Sequence, residues 1–449
     1  MSTPTLDSPL SRTPSTTSIT ARAKSNGQEG WMPRYARRLV LGRLAHFAVG
    51  ELRIVEVDRK DESSLPEVSV FGTSSEGGMK AEISVFDARF WSSLLTGGAL
   101  GAAEAYAEGW WSADDLTSVI RLFARNRSAL QKIDGGLAKW GAPLLRRLHN
   151  ANRNTAQGAK RNIRAHYDLS NEFFALFLDP TMTYSCGLFM EDSMTLEQAQ
   201  IAKIDHLCNK LELGPDKHVL EVGTGWGALA RRAAKHYGCK VTTTTISEEQ
   251  YAWAKRGIVA DGLEDQVELL LKDYRSLEGQ YDCVVSVEMV EAVGADFLGE
   301  YFETIGRLLK PEGIAAIQAI TIQDQEFERA SRHVDFIKRY IFPGSCIPSV
   351  TAMCQAMTAS SDLKLVHLED FTTDYATTLD HWSQALTSRH AEAKALGFDD
   401  SFLRTWEYYL RYCEGGFLER SIGLVQMMLT KPGSPYQPPV SCFESTGGL

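Results

Sequence analysis

The chain lacks any run of about 18 uncharged apolar residues, so no membrane-spanning helix is expected. Its first residues have no apolar core of the signal-peptide kind. The 8 cysteines are scattered without a CxxC pair, which fits a reducing cytosol and argues against structural zinc. The 10 histidines show no HExxH or similar spacing, so no metal is expected. Positive charge is also short overall. A net charge of −10 argues against general nucleic-acid binding. No internal repeat is visible. What remains is ordinary globular material: 449 residues, 44% apolar and 23% charged, enough for two or three domains.

Composition divides the chain. Residues 1–30 are rich in Ser, Thr and Pro and read as a disordered tail. Residues 31–126 read as a small α+β domain. Leu52 to Asp58 and Ala81 to Phe86 have strand character, Ala99 to Trp111 reads as a helix, and Asp114-Asp115 open another. Residues 127–163 form a basic linker. From Arg121 to Arg164 there are 11 Lys/Arg against the single acid Asp134, interleaved with Leu and with Trp140. That pattern suits an anionic lipid surface, and equally a solvated helical hairpin between domains. Residues 164–432 form the main domain, and 433–449 a loose tail.

Val219 to Ala230 (VLEVGTGWGALA) carries the strongest local signal. A buried strand runs into Gly223, Gly225 and Gly227, which let the backbone bend and approach a ligand. The spacing is G-x-G-x-G, not the dinucleotide pattern, and the strand ends in Glu-x-Gly; both favour S-adenosylmethionine (SAM) over NAD. Lys240 to Thr245, Val267 to Leu271, Tyr281 to Val287 and Ile314 to Ile320 read as further strands. Ser247-Glu248-Glu249-Gln250 reads as a capping box, and Leu308 to Gly313 as the close of a helix. Strands alternating with helices predict a doubly wound, mostly parallel α/β sheet, with ligand beyond the carboxyl ends of its strands.

A longer series of motifs supports a family. Arg164-Ala165-His166-Tyr167-Asp168-Leu169-Ser170, Leu178 to Cys186, the glycine turn, Thr245 to Gln250, Val287 to Gly294, Arg339 to Gly344, Asp374 to Leu379 and Tyr408 to Cys413 occur in order. Together they resemble the cyclopropane-fatty-acyl-phospholipid synthases and the related mycolic acid methyltransferases. The resemblance covers roughly residues 160 to 430; residues 31–126 more loosely resemble the lipid-binding domain of the longer synthases. It implies attack of a cis double bond, in the acyl chain of a membrane phospholipid, on the sulfonium methyl of SAM. A carbocation then loses a proton to bound bicarbonate and a three-membered ring closes. It further implies an enzyme at the inner face of the membrane, acting as a dimer.

The same resemblance assigns roles. Cys186, Glu291, Gln318, Ile320 and Tyr375 would surround the bicarbonate. Glu291 would clamp it, Cys186 would offer a backbone N–H or be merely a small buried group, and Tyr375 would donate its hydroxyl. Cys413 matches a cysteine often marked in the family, although the chemistry needs no thiolate. Gln318 stands where many relatives carry histidine; its amide donates but carries no charge. Glu221, Gly223, Gly225 and Gly227 would shape the methionine side, with Tyr184 and Ser185 covering it. Thr245, Ile246, Ser247 and Gln250 would meet ribose and adenine, and Tyr274 and Asp273 would flank the adenine, Asp273 accepting from its amino group. Gln250 reads equally as a helix cap, and Asp273 as the start of a turn. Tyr340, Phe342, Tyr375 and Trp382 are candidates for an aromatic wall around the cation, or plain core. Rival readings are a SAM-dependent enzyme leaving a methyl or methylene branch, a lipid-binding protein with a dead site, and a soluble small-molecule methyltransferase.

Overall fold

A computed structural model describes residues 31–57, 65–73, 78–127 and 170–438. Most of the basic linker, with its Trp140, the N-terminal tail and residues 439–449 lie outside the described residues, as does the motif from Arg164 to Leu169.

The first unit is a four-stranded sheet covered by helices. Helix α1 (Trp31–Leu44) leads into β1 (Gly50–Glu56), β2 (Glu67–Thr73), β3 (Lys80–Val85), α2 (Arg89–Ala107), β4 (Trp111–Ala113) and α3 (Leu116–Arg125). The order is β2-β1-β3-β4, with β1 and β3 parallel and the other pairs antiparallel. Strands β2 and β4 were not expected, and α2 begins ten residues earlier than the predicted helix, bending at Gly98 (φ 58°). The Asp115 carboxylate caps α3 by accepting from the Ser118 N–H at 3.0 Å.

The main sheet has seven strands: β5 (His218–Val222), β6 (Lys240–Thr245), β7 (Val267–Leu271), β8 (Tyr281–Val287), β9 (Leu309–Ile322), β10 (Lys364–Asp370) and β11 (Ile422–Thr430). The order β10-β11-β9-β8-β5-β6-β7 is parallel from β9 to β7; β11 alone is reversed, pairing antiparallel with both β9 and β10. This is the doubly wound α/β fold. Strand order reverses beside β5, which places the glycine turn at the switch point. Strand β9 starts at Leu309, directly after the helix Leu298–Leu308, so Lys310 to Gly313 belong to a strand and not to a helix end. The β-branched run Val241 to Thr245 is buried, because its hydroxyls find partners: Thr243 donates to Glu221 at 2.5 Å and Thr244 to the Lys272 carbonyl at 2.5 Å.

The two units share one apolar core that reaches from Leu52 and Trp91 to Trp382 and Phe417. The helix Asp400–Leu418 packs on α2 and α3. Its Arg404 donates to the carbonyls of Tyr106 (2.6 Å) and Trp111 (2.7 Å), and its buried Glu414 accepts from the Thr117 hydroxyl at 2.8 Å.

Gly227 is a structural glycine. It opens the helix Ala228–Tyr237 at φ 91°, and an added Cβ would lie 3.0 Å from the Cβ of Ala254. Gly227→Ala should therefore cost about 1–3 kcal/mol of stability, from left-handed strain and crowding together. Calorimetry should read a clear fall in the melting temperature.

Candidate functional site

A cavity of about 1590 Å³ opens over the carboxyl ends of the parallel strands. One end lies on the glycine turn. Gly223 (φ 101°) and Gly225 (φ 53°) line it, and Gly225 has open space where a Cβ would stand, so backbone there can approach a ligand closely. Tyr184, Ser185, Glu221, Thr245, Ile246, Gln250, Asp273 and Tyr274 line the same end. Ten of the twelve residues expected to meet the donor thus line one cavity, and two do not. Gly227 starts a helix, and Ser247 caps one, accepting from the Gln250 N–H at 3.3 Å. The predicted capping box is only half formed, because the Gln250 amide oxygen accepts from Thr245 instead, at 3.0 Å. Of the two readings open for Asp273, the structure shows the start of a turn. Both its oxygens bind the Arg275 guanidinium, at 2.9 and 2.6 Å, and one accepts the Arg275 N–H at 3.0 Å. Burial raises its pKa, but those bonds outweigh burial and hold it below the usual carboxylate range. It is a turn-starting anion.

The other end is greasy. Val40, Leu44, Phe90 and Leu94 of the first unit line it, with Val119 and Phe123 of α3. A linear hydrocarbon is the ligand chemistry such a lining accepts. Between the two ends stand Phe342, Trp226 and Tyr409, with Tyr375 and Cys413. Trp226 and Tyr409 were not anticipated. Tyr340 is no wall: it is 44% exposed and donates its hydroxyl to Glu104 at 2.6 Å. Trp382 is core, 5.2 Å from the Tyr184 ring. Burial raises the pKa of the Cys413 thiol, so it stands protonated at neutral pH.

The catalytic expectations need one substantial correction. Cys186 and Gln318 sit behind the residue that the sequence reading passed over, Glu288, and do not line the cavity. The Cys186 N–H donates to Glu288 Oε1 at 2.9 Å and the Gln318 amide to the same oxygen at 2.8 Å; the Tyr375 hydroxyl donates to Oε2 at 2.5 Å. Three of the four donors expected to hold bicarbonate thus already hold a carboxylate of the chain. The fourth, the Ile320 N–H, binds Glu291 Oε1. These residues do not fit a separate bicarbonate.

Glu291 Oε2 is buried with no hydrogen-bond partner among the described residues. Burial, and then the neighbouring Glu288, push the Glu291 pKa up to about 8. Burial likewise lifts Glu221 to about 8, against a hydrogen bond from Thr243 and the charge of Lys203. Lys203, also unanticipated, is buried at the donor end, where its Nζ donates to the Ser185 hydroxyl at 2.8 Å. Desolvation lowers its pKa. Among the described residues no group of His, Cys, Asp and Glu is arranged to hold a metal ion.

A parallel sheet with this strand order, a three-glycine turn at its switch point and an acid-lined cavity above it define a SAM-dependent methyltransferase. The family of mycolic acid cyclopropane synthetases matches residues 154–427, and the chain belongs to that family. A tuberculostearic acid methyltransferase of Mycobacterium tuberculosis is 38% identical over 347 residues, covering 75% of this chain and 80% of that protein. A cyclopropane-fatty-acyl-phospholipid synthase of Escherichia coli is 36% identical over 365 residues, covering 80% and 90%. The crystal structure of a mycolic acid cyclopropane synthase complexed with SAH and CTAB superposes with a TM-score of 0.57 at 34% identity, covering 61% of this chain and 98% of that one.

Proposed function

We propose that the protein transfers one carbon from SAM to a cis double bond in the acyl chain of a membrane phospholipid, forming a cyclopropane. The observation that carries this is the cavity itself: one continuous space with the glycine turn at one end and an alkyl-lined channel at the other. SAM supplies an electrophilic methyl group on a cationic sulfur. The chain's part is to bring a weak nucleophile against it in fixed geometry, which can be worth roughly 7–11 kcal/mol. It must also keep water from the cation that results. Tyr184, Trp226, Phe342 and Tyr409 present aromatic surface to the cavity, each able to stabilise a cation by about 0.5–2 kcal/mol.

A bilayer as the source of substrate agrees with α1. Trp31, Met32 and Tyr35 are 78%, 44% and 55% exposed there, next to Arg34 and Arg38. Aromatic and basic side chains on one short helix suit an anionic interface. No helix among the described residues is long and apolar enough to cross a membrane. A second reading, a methyl or methylene branch in place of a ring, is favoured by one relative's being named a methyltransferase.

Incubation with SAM and dioleoylphosphatidylglycerol vesicles tests both. NMR of the extracted lipid should give the upfield ring protons of a cyclopropane. Exocyclic methylene signals would establish the branched product, and unaltered lipid would refute the acyl reading altogether.

A further inference from the structure

Glu288 follows β8 in a left-handed backbone conformation, φ 50°, that non-glycine residues seldom adopt. Its half-buried carboxylate lines the cavity, where Glu291 also stands. Three donors fix it from behind, two on Oε1 and the Tyr375 hydroxyl on Oε2. The Gln318 donor is itself oriented by a chain of side chains. Lys210 can only donate, and its Nζ reaches both Glu369 and, at 2.8 Å, the Gln426 amide oxygen. Gln426 must then turn its nitrogen to the Gln318 oxygen, 2.9 Å away, and Gln318 its nitrogen to Glu288. A relay begun by a cation thus presents an N–H where an anion is held. Burial raises the Glu288 pKa above the usual carboxylate value, which makes the carboxylate a better proton acceptor.

The geometry points to Glu288 as the catalytic base, a carboxylate of the chain doing what a bound bicarbonate would do. This rests on the acyl reading above. The π pair of the double bond forms the new bond to the sulfonium methyl carbon while the C–S pair leaves on sulfur, and the positive charge passes to the acyl chain. Glu288 takes one proton from the transferred methyl group. The C–H pair closes the ring onto the cationic carbon, and Glu288 is left neutral until its proton passes to water. Charge balances: sulfonium and carboxylate are consumed, and a neutral thioether and a neutral acid are formed. Gln318 and Tyr375 are positioning residues for that carboxylate.

The test follows SAH formation on dioleoylphosphatidylglycerol vesicles in carbon-dioxide-free buffer, with and without added bicarbonate. The wild-type rate should change less than about twofold between the two. Glu288→Gln, nearly isosteric and able to keep the fold, should lose at least about 100-fold in either buffer while SAM affinity holds. Glu288→Ala should lose as much without bicarbonate and regain about tenfold or more with it, since the emptied cradle admits that anion. A wild type active only with bicarbonate, or a Glu288→Gln enzyme of near-normal rate, overturns the assignment and leaves the acyl reading standing. A wild type inert in both buffers removes the acyl reading, and this inference with it.

Discussion

Glu291→Gln should lower kcat by about 10²–10³ while the affinity for SAM stays within about threefold. The argument is electrostatic. Glu291 has one oxygen bound by the Ile320 N–H and the other buried without a partner among the described residues. A carboxylate left in that state is costly in the ligand-free protein, which is why its pKa is pushed up to about 8. When a cation enters the cavity, the same carboxylate becomes a fixed counter-charge that needs no reorganisation. Glutamine keeps the shape and can still accept from Ile320, but it carries no charge, so stabilisation of the carbocation is lost and ground-state binding is not. Steady-state rates on vesicles together with SAM titration separate the two. A parallel loss of SAM affinity would show that Glu291 belongs to the donor site; full activity would show that it is only a buried acid.

Glu291 was singled out in the sequence as a carboxylate just past an apolar strand, and it lines the cavity. That Glu288 holds the cradle was not legible in the sequence. Both acids follow YDCVVSV, three residues apart, and a linear reading cannot tell which of them turns inward. The choice is made by the left-handed backbone at Glu288 and by Gln318 across the sheet, whose pairing on β9 is a tertiary fact. The readable signal was Gln318 itself: an amide where the family resemblance leads one to expect histidine implies an altered partner. The core strands β5 to β8 were readable because each is short, apolar or β-branched, and bounded by turn chemistry. Strands β10 and β11 were passed over. The exposure of β10 alternates only weakly between charged ends, and β11 is almost wholly buried, an apolar run without period. The acyl channel was unreadable in a stricter sense. Val40, Phe90 and Val119 lie on separate elements of the first unit, and only its docking on the helix Asp400–Leu418 brings them over the glycine turn.

SAM should bind more weakly in acid, with affinity rising as pH increases up to about 8 and levelling above it. Glu221, at the donor end, holds a proton up to about 8 in the ligand-free protein, where it faces Lys203 and the Thr243 hydroxyl. A sulfonium nearby favours its anionic form, so its pKa falls on binding. Binding is then coupled to proton release. Over the interval between the bound-state pKa and about 8, affinity should rise up to about tenfold per pH unit. Above 8 the carboxyl is already ionised, so nothing more is gained. Calorimetric titration in buffers of differing ionisation enthalpy should find on the order of one proton released per SAM near pH 7. Glu221→Gln should flatten the profile, and Glu291→Gln should leave it in place. The neutral product SAH lacks the sulfonium charge, so its affinity should depend on pH far less than that of SAM. Equal pH dependence for the two would mean that Glu221 responds to closure of the cavity rather than to the charge on sulfur.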